Sequence, residues 1–200
     1  MTTRQAGQDS TRPLRADARR NRARLLEVAE AVFTARGTAV STEEIAREAG
    51  VGVGTLFRHF PTKEALLEAV LLGRLERLAT EAERLAATEA PGDAFFAFFA
   101  FFALVVDQSP AKNVFADALS AAGVDVRQST SEIGRTLHQA MATLLAAAQR
   151  TNAVRPDLGV PELTALLVGT CRMTEHLGDN PAARDRTFAV IFDGLRPQAG

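Results

Sequence analysis

Thr55, Arg58, His59 and Lys63 crowd into one short stretch, VGVGTLFRHFPTK. Each carries a hydrogen-bond donor, and Arg58 and Lys63 add positive charge. This is the chemistry of nucleic-acid contact. Arginine pairs with guanine, threonine meets a base or a thymine methyl group, and lysine neutralises phosphate. Lys63 has an argument of its own. It falls in the first turn of an expected helix, where the helix dipole disfavours a cation. A phosphate docked there reverses that penalty, because helix N-termini bind anions. Gly52 and Gly54 stand beside these side chains, although glycine weakens a helix by roughly 1 kcal/mol against alanine. They make sense where the backbone must approach another body closely, such as a DNA groove. His59, taken alone, also reads as a surface or half-buried histidine.

The elements that must position these groups are legible in residues 41–64, STEEIAREAGVGVGTLFRHFPTKE. Ser41-Thr-Glu-Glu44 is a capping box, in which Ser41 satisfies a first-turn amide and Glu44 reaches back to the Ser41 amide. The short helix it opens buries Ile45, Ala46 and Ala49. Gly50 ends it, since a left-handed C-cap favours glycine. Val53, Leu56, Phe57 and Phe60 then form an apolar stripe at three- and four-residue spacing. Pro61 stops that helix, and Thr62 N-caps the next. The pattern predicts a helix-turn-helix. Val53–Phe60 is its recognition helix, with Gly52, Gly54, Thr55, Arg58 and His59 on the outward edge. An ordinary helical hairpin is the alternative.

Upstream, Leu25, Val28, Ala29, Val32 and Phe33 mark one face of a first helix that Gly37 closes. Arg12, Arg15, Arg19, Arg20, Arg22 and Arg24 form a basic patch leading into it. Beside a helix-turn-helix they suit phosphate contact, and otherwise they are a solvated face. Residues 1–14 are expected to be a disordered arm. Residues 1–80 hold 13 Arg+Lys against 10 Asp+Glu, and residues 81–200 hold 10 against 14. A basic front on a mildly acidic body suits contact with DNA at one end only.

Thr42-Glu-Glu-Ile-Ala-Arg-Glu-Ala-Gly-Val51 and Gly54-Thr-Leu-Phe-Arg-His-Phe-Pro-Thr-Lys-Glu-Ala-Leu66 resemble the DNA-binding domain of the TetR family of bacterial transcriptional regulators. The likeness spans roughly residues 15–70 and is strongest in Phe57-Arg-His-Phe-Pro-Thr-Lys63. It implies phosphate contacts by Thr42, His59 and Lys63. It also implies a homodimer held by a four-helix interface of the last two helices, which would present two recognition helices to a palindromic operator. A small-molecule effector bound in the rear domain would control release. The family often has a polar residue at the position of Val53 and a tyrosine at that of Phe57. Both are apolar here, so fewer side chains at these DNA-facing positions can hydrogen-bond.

The rest of the chain reads as all-α. A domain of residues 15–62 is expected to precede an effector and dimerisation bundle of residues 63–200, about nine helices in all. One helix, 63–87, belongs to both halves. Phe95-Phe-Ala-Phe-Phe-Ala-Phe-Phe102 spreads phenylalanine around more than half a helix and must be largely buried. Phe95, Phe98, Phe99 and Phe102 are either a pocket wall or core filling, in a chain whose twelve Phe are its only aromatic residues apart from histidine. Ser109-Pro110 is expected to open a further helix. His138 and Met141 on the next one, and Cys171, Arg172 and Glu175 on the penultimate one, are the remaining candidate ligand contacts. Arg172, Glu175 and His176 are better explained as ordinary residues near a helix end.

One cysteine excludes an internal disulfide and a cysteine-only metal site, and fits a cytoplasmic location. No apolar run is long enough to span a bilayer as a helix. No phosphate loop, metal-spaced cluster or nucleophile constellation is present, so no enzyme, cofactor or metal is expected. The reading is a ligand-responsive repressor. An apolar-ligand carrier with a vestigial helix-turn-helix and an effector-independent DNA-binding protein remain open.

Overall fold

A computed structural model describes residues 11–87, 93–177 and 180–197, those at 11–16, 93–95, 110–112, 128 and 174–175 by their backbone alone. The described residues form eight α-helices. They are α1 (Thr11–Arg36), α2 (Thr42–Glu48), α3 (Val53–His59), α4 (Lys63–Ala86), α5 (Asp93–Ala121), α6 (Arg127–Arg150), α7 (Val160–Leu177) and α8 (Pro181–Leu195). The chain is all-α, as its periodicity predicts. Helix α1 starts at Thr11, inside the stretch expected to be an arm, and residues 1–10 lie outside the described residues.

Two compact units emerge. The first comprises residues up to Leu71 together with Val114–Asp125, and the second comprises Leu72–Asn113 and Val126 onward. Both α4 and α5 therefore contribute to each unit. Residues 114–125 were expected in the effector bundle. They belong to the first unit because Phe115 and Leu119 are fully buried, with the Phe115 ring edge-on to Phe33 of α1 at 6.2 Å.

Within the first unit, Leu25, Ala29, Val32 and Phe33 of α1 are buried, as are Ile45, Ala46, Leu56, Phe60 and Leu66. Helix α2 ends in a Schellman motif. Gly50 takes φ of +67°, Val51 N–H donates to the Ala46 carbonyl at 3.0 Å, and Gly50 N–H to that of Arg47 at 3.1 Å. This left-handed residue costs little only as glycine. At the other end of α2, Ser41 Oγ accepts from Glu44 N–H at 3.2 Å, which is half of the capping box. The other half is diverted. The Glu44 carboxylate accepts from Arg36 Nη1 at 2.7 Å, and Arg36 also pairs with Glu48, so the pair ties α1 to α2. Thr62 Oγ1 caps α4 by accepting from Ala65 N–H at 3.1 Å.

In the second unit, Leu78, Ala82, Phe98, Phe99, Phe102, Leu144, Leu145 and Leu163 share one core. Helix α5 runs straight through Ser109 and Pro110, where a boundary was expected. Proline deprives the helix of one amide donor. Burial of Val106 and Ser109 before it and Phe115 after it holds the helical path. The link between α6 and α7 is fastened by Gln149, whose side-chain amide donates to the Arg155 and Leu158 carbonyls at 3.0 and 2.8 Å. Arg155 N–H donates to the Leu195 carbonyl at the end of α8.

Candidate nucleic-acid interface and ligand cavity

Helix α3 is two turns long and is held from beneath by Leu56, fully buried, and Phe60, 2% exposed. Its opposite edge is open. Gly52, Gly54, Phe57 and Arg58 are exposed, and Val53, Thr55 and His59 are half-buried. Phe57, expected in the inward stripe, is 39% exposed instead. Leu56 and Phe60 alone close the contact with the core, and the helix is too short to bury a third large side chain.

The two glycines at the start of α3, Gly52 at its N-cap and Gly54 in its first turn, differ from Gly50. Neither needs a left-handed backbone, and a Cβ at either would meet no atom within 4 Å. The fold itself does not require glycine there. Lys63 is half-buried as the first residue of α4, and the His59 ring lies 6.3 Å from that of Phe60. Thr42 is only 8% exposed. Arg19 and Arg20 are exposed on α1, with Arg20 ion-paired to Asp17. Arg22 stacks its guanidinium over the Phe60 ring at 5.1 Å, fastening the basic end of α1 over the end of α3. The structure thus brings Gly52, Gly54, Thr55, Arg58, His59 and Lys63 into one neighbourhood of α3 and the start of α4, and it buries most of Thr42.

The second unit contains a cavity of about 270 Å³ between α4, α5, α6 and α7. Leu75, Leu78, Phe101, Leu137, Met141 and Leu167 give it an apolar wall, and Arg74, Gln108, Ser109, His138 and Thr164 are its polar members. His138 and Met141 are thus placed on it. Phe98, Phe99 and Phe102 are not. Phe99 lies 4.4 Å from Phe192, and Phe102 lies 5.6 Å from Phe192 and 6.5 Å from Phe188, so these rings fill the core against α8. Among the described rings of that run, Phe101 lines the cavity. Cys171, half-buried, and Arg172, exposed, do not line it. The side chains of Phe95 and Glu175 lie outside the described residues.

Arg74 was missed, although a signal existed. It sits in line with Leu67, Leu71 and Leu78 at four-, three- and four-residue steps, a cation on the buried stripe of an apolar helix. Among the described residues no acidic or cysteine–histidine cluster could hold a metal ion, and no helix is long and apolar enough to cross a membrane.

A short helix seated on a small three-helix core, with its donor-bearing edge turned outward, defines a helix-turn-helix regulator. Residues 25–70 match the family described as bacterial regulatory proteins, tetR family. Residues 90–197 match the one described as transcriptional regulator SbtR-like, C-terminal domain. The chain is 43% identical to a TetR transcription regulatory protein of Mycobacterium vanbaalenii, covering 92% of this chain and 99% of that one, with a TM-score of 0.73. For a TetR transcriptional regulator of Streptomyces coelicolor the identity is 34%, the coverage 89% and 99%, and the TM-score 0.70. An HTH-type transcriptional regulator of Staphylococcus aureus (strain USA300) is 37% identical over 73 residues, which is 36% of this chain and 40% of its relative's length. The chain thus spans about two fifths of that curated relative. It belongs to the TetR family of transcriptional regulators.

Proposed function

We propose that this protein is a cytoplasmic, homodimeric repressor that binds a palindromic operator and is released by a small molecule, with no catalytic activity of its own. The observation that carries this reading is the pairing of an open α3 edge in one unit with an apolar cavity in the other. In this account Thr55 and Arg58 meet base edges in the major groove, while His59, Lys63 and the arginines of α1, including Arg19 and Arg20, meet phosphate. Gly52 and Gly54 let the backbone come close. Val53 and Phe57 add apolar contact. Thr42 contributes through its helix rather than its largely covered hydroxyl.

The dimer is assigned to α7 and α8. Val168 and Val190 are 58% and 72% exposed on these helices, and Met173 is also exposed. Large apolar side chains held in water on two adjacent helices favour a partner surface. Two copies would place two α3 helices about one DNA turn apart.

Ligand binding shifts the protein toward its non-binding state only by its differential affinity for the two states. The same helix α4 carries Lys63 in its first turn and Arg74, Leu75 and Leu78 of the cavity further along, which gives both sites one element to bias. Footprinting on DNA flanking the gene, followed by a ligand screen for loss of the footprint, tests the reading. A protected palindrome released by a bound small molecule supports it. Absence of duplex binding at moderate salt overturns it.

A further inference from the structure

We propose that Val53 and Phe57 form an apolar pair that reads thymine through its C5-methyl group in the major groove. The proposal rests on the reading of α3 as the helix that enters DNA, and it names the base group that two of its side chains recognise.

Three observations converge. First, Val53 and Phe57 stand four residues apart on α3 and so share one face, with β-carbons about 5–6 Å apart. Phe57 is 39% exposed and Val53 half-buried, while Leu56 and Phe60 fasten the helix to the core. The fold therefore does not use the Phe57 ring as it uses those two. Second, Gly52 and Gly54 flank Val53 and are exposed, with open space where a Cβ would stand. No side chain at either position holds the pair away from the floor of a groove. Third, Arg58 adjoins Phe57 in the chain and Lys63 opens α4, and neither forms an ion pair among the described residues. An apolar patch with cations beside it complements a groove walled by phosphates.

The major groove offers such a patch one apolar group, the thymine methyl. The other base edges present donors and acceptors there. An apolar side chain pressed on the amino group of cytosine strips its water and returns no hydrogen bond. The pair thus attracts thymine and rejects cytosine at the same position. Successive base pairs rise by about 3.4 Å, so two side chains at this separation reach thymines one or two steps apart.

The test is fluorescence anisotropy of the full chain on a duplex selected by the wild type, with its thymines replaced by deoxyuridine one at a time. Each replacement removes one methyl group and keeps the base pair. At one or two positions the wild type should lose about fourfold in affinity, the factor that burying one methyl group supplies. Phe57→Ala and Val53→Ala should each abolish that penalty at its own thymine and leave the penalty at the other in place. Phe57→Gln, which puts a hydrophilic side chain at this exposed position, should behave as Phe57→Ala and covers the case of an alanine variant that does not fold.

A selected duplex that tolerates deoxyuridine at every position overturns the proposal, as does one that holds no thymine. Penalties that persist unchanged in the folded Val53 and Phe57 variants also overturn it, since another side chain then meets the methyl groups. In each of these cases a preference for the selected duplex over a scrambled one keeps α3 as the reading helix. Equal affinity of the wild type for both duplexes would sink that reading and the proposal with it.

Discussion

The two units are built from different kinds of information. In the first, single residues fix the path of the backbone. Gly50 is left-handed, Ser41 and Thr62 cap helices, and Gly37 closes α1. In the second, long helices are held by repeated Phe, Leu and Ala that pack with partners far away in sequence. The first unit places a few side chains at fixed positions on an open edge. The second forms an open-sided cavity whose shape depends on how whole helices pack. Reading DNA calls for the former, and accommodating a small molecule calls for the latter.

The largest expected effect comes from Phe102→Ala. The ring is 1% exposed between Phe188 and Phe192, so its loss should cost about 3–5 kcal/mol in urea unfolding. Ligand affinity measured on the folded fraction should barely change. A stable variant with altered ligand response would return Phe102 to the cavity wall and blur the contrast between core and cavity.

Arg58→Ala comes next. Arg58 is exposed, so the variant should melt with the wild type, while affinity for the preferred duplex falls by about 1–3 kcal/mol. A matched fall in melting temperature would mean that Arg58 serves the fold.

The glycines sharpen the comparison within the first unit. Gly50→Ala forces a left-handed alanine and should cost about 1–2 kcal/mol. Gly54→Ala should raise stability by up to about 1 kcal/mol, since its Cβ meets nothing, and should lower duplex affinity. Thermal melts and duplex titrations of both variants separate a fold-imposed glycine from an interface-imposed one.

The smallest effect concerns the link before α7. Arg155 donates to Asp157 at 2.6 and 2.7 Å and holds that carboxyl below its ordinary range. A depressed folded-state value means that the contribution is present at neutral pH and is lost as pH falls through the folded value. Asp157→Asn should therefore narrow the stability difference between neutral and acid pH slightly, because the pair is exposed. An unchanged pH profile would show that the pair contributes nothing measurable.

How much of this was legible follows the same division. Caps and turns are local, so residues 41–64 disclose α2, α3 and the start of α4 in the sequence itself. The exceptions were non-local. Glu44 was drawn away by Arg36, and Phe57 turned outward once Leu56 and Phe60 had closed the core. In the second unit the helices were legible and their facings were not. A run of phenylalanine at 95–102 has no preferred face, so nothing in it told Phe101 from Phe102. Only the positions of α6 and α8 decide that. Pro110 misled for a related reason, because buried neighbours outweighed one missing amide.

The central claim is that the open edge of α3 reads DNA sequence. It is tested most directly by fluorescence anisotropy of the wild type, Arg58→Ala and Lys63→Ala, each titrated with a duplex selected by the wild type and with a scrambled duplex. Arg58→Ala should lose affinity for the selected duplex and approach its affinity for the scrambled one. Lys63→Ala should weaken both by the same factor and preserve their ratio. Equal losses on both duplexes for both variants, or no loss for either, would contradict the account.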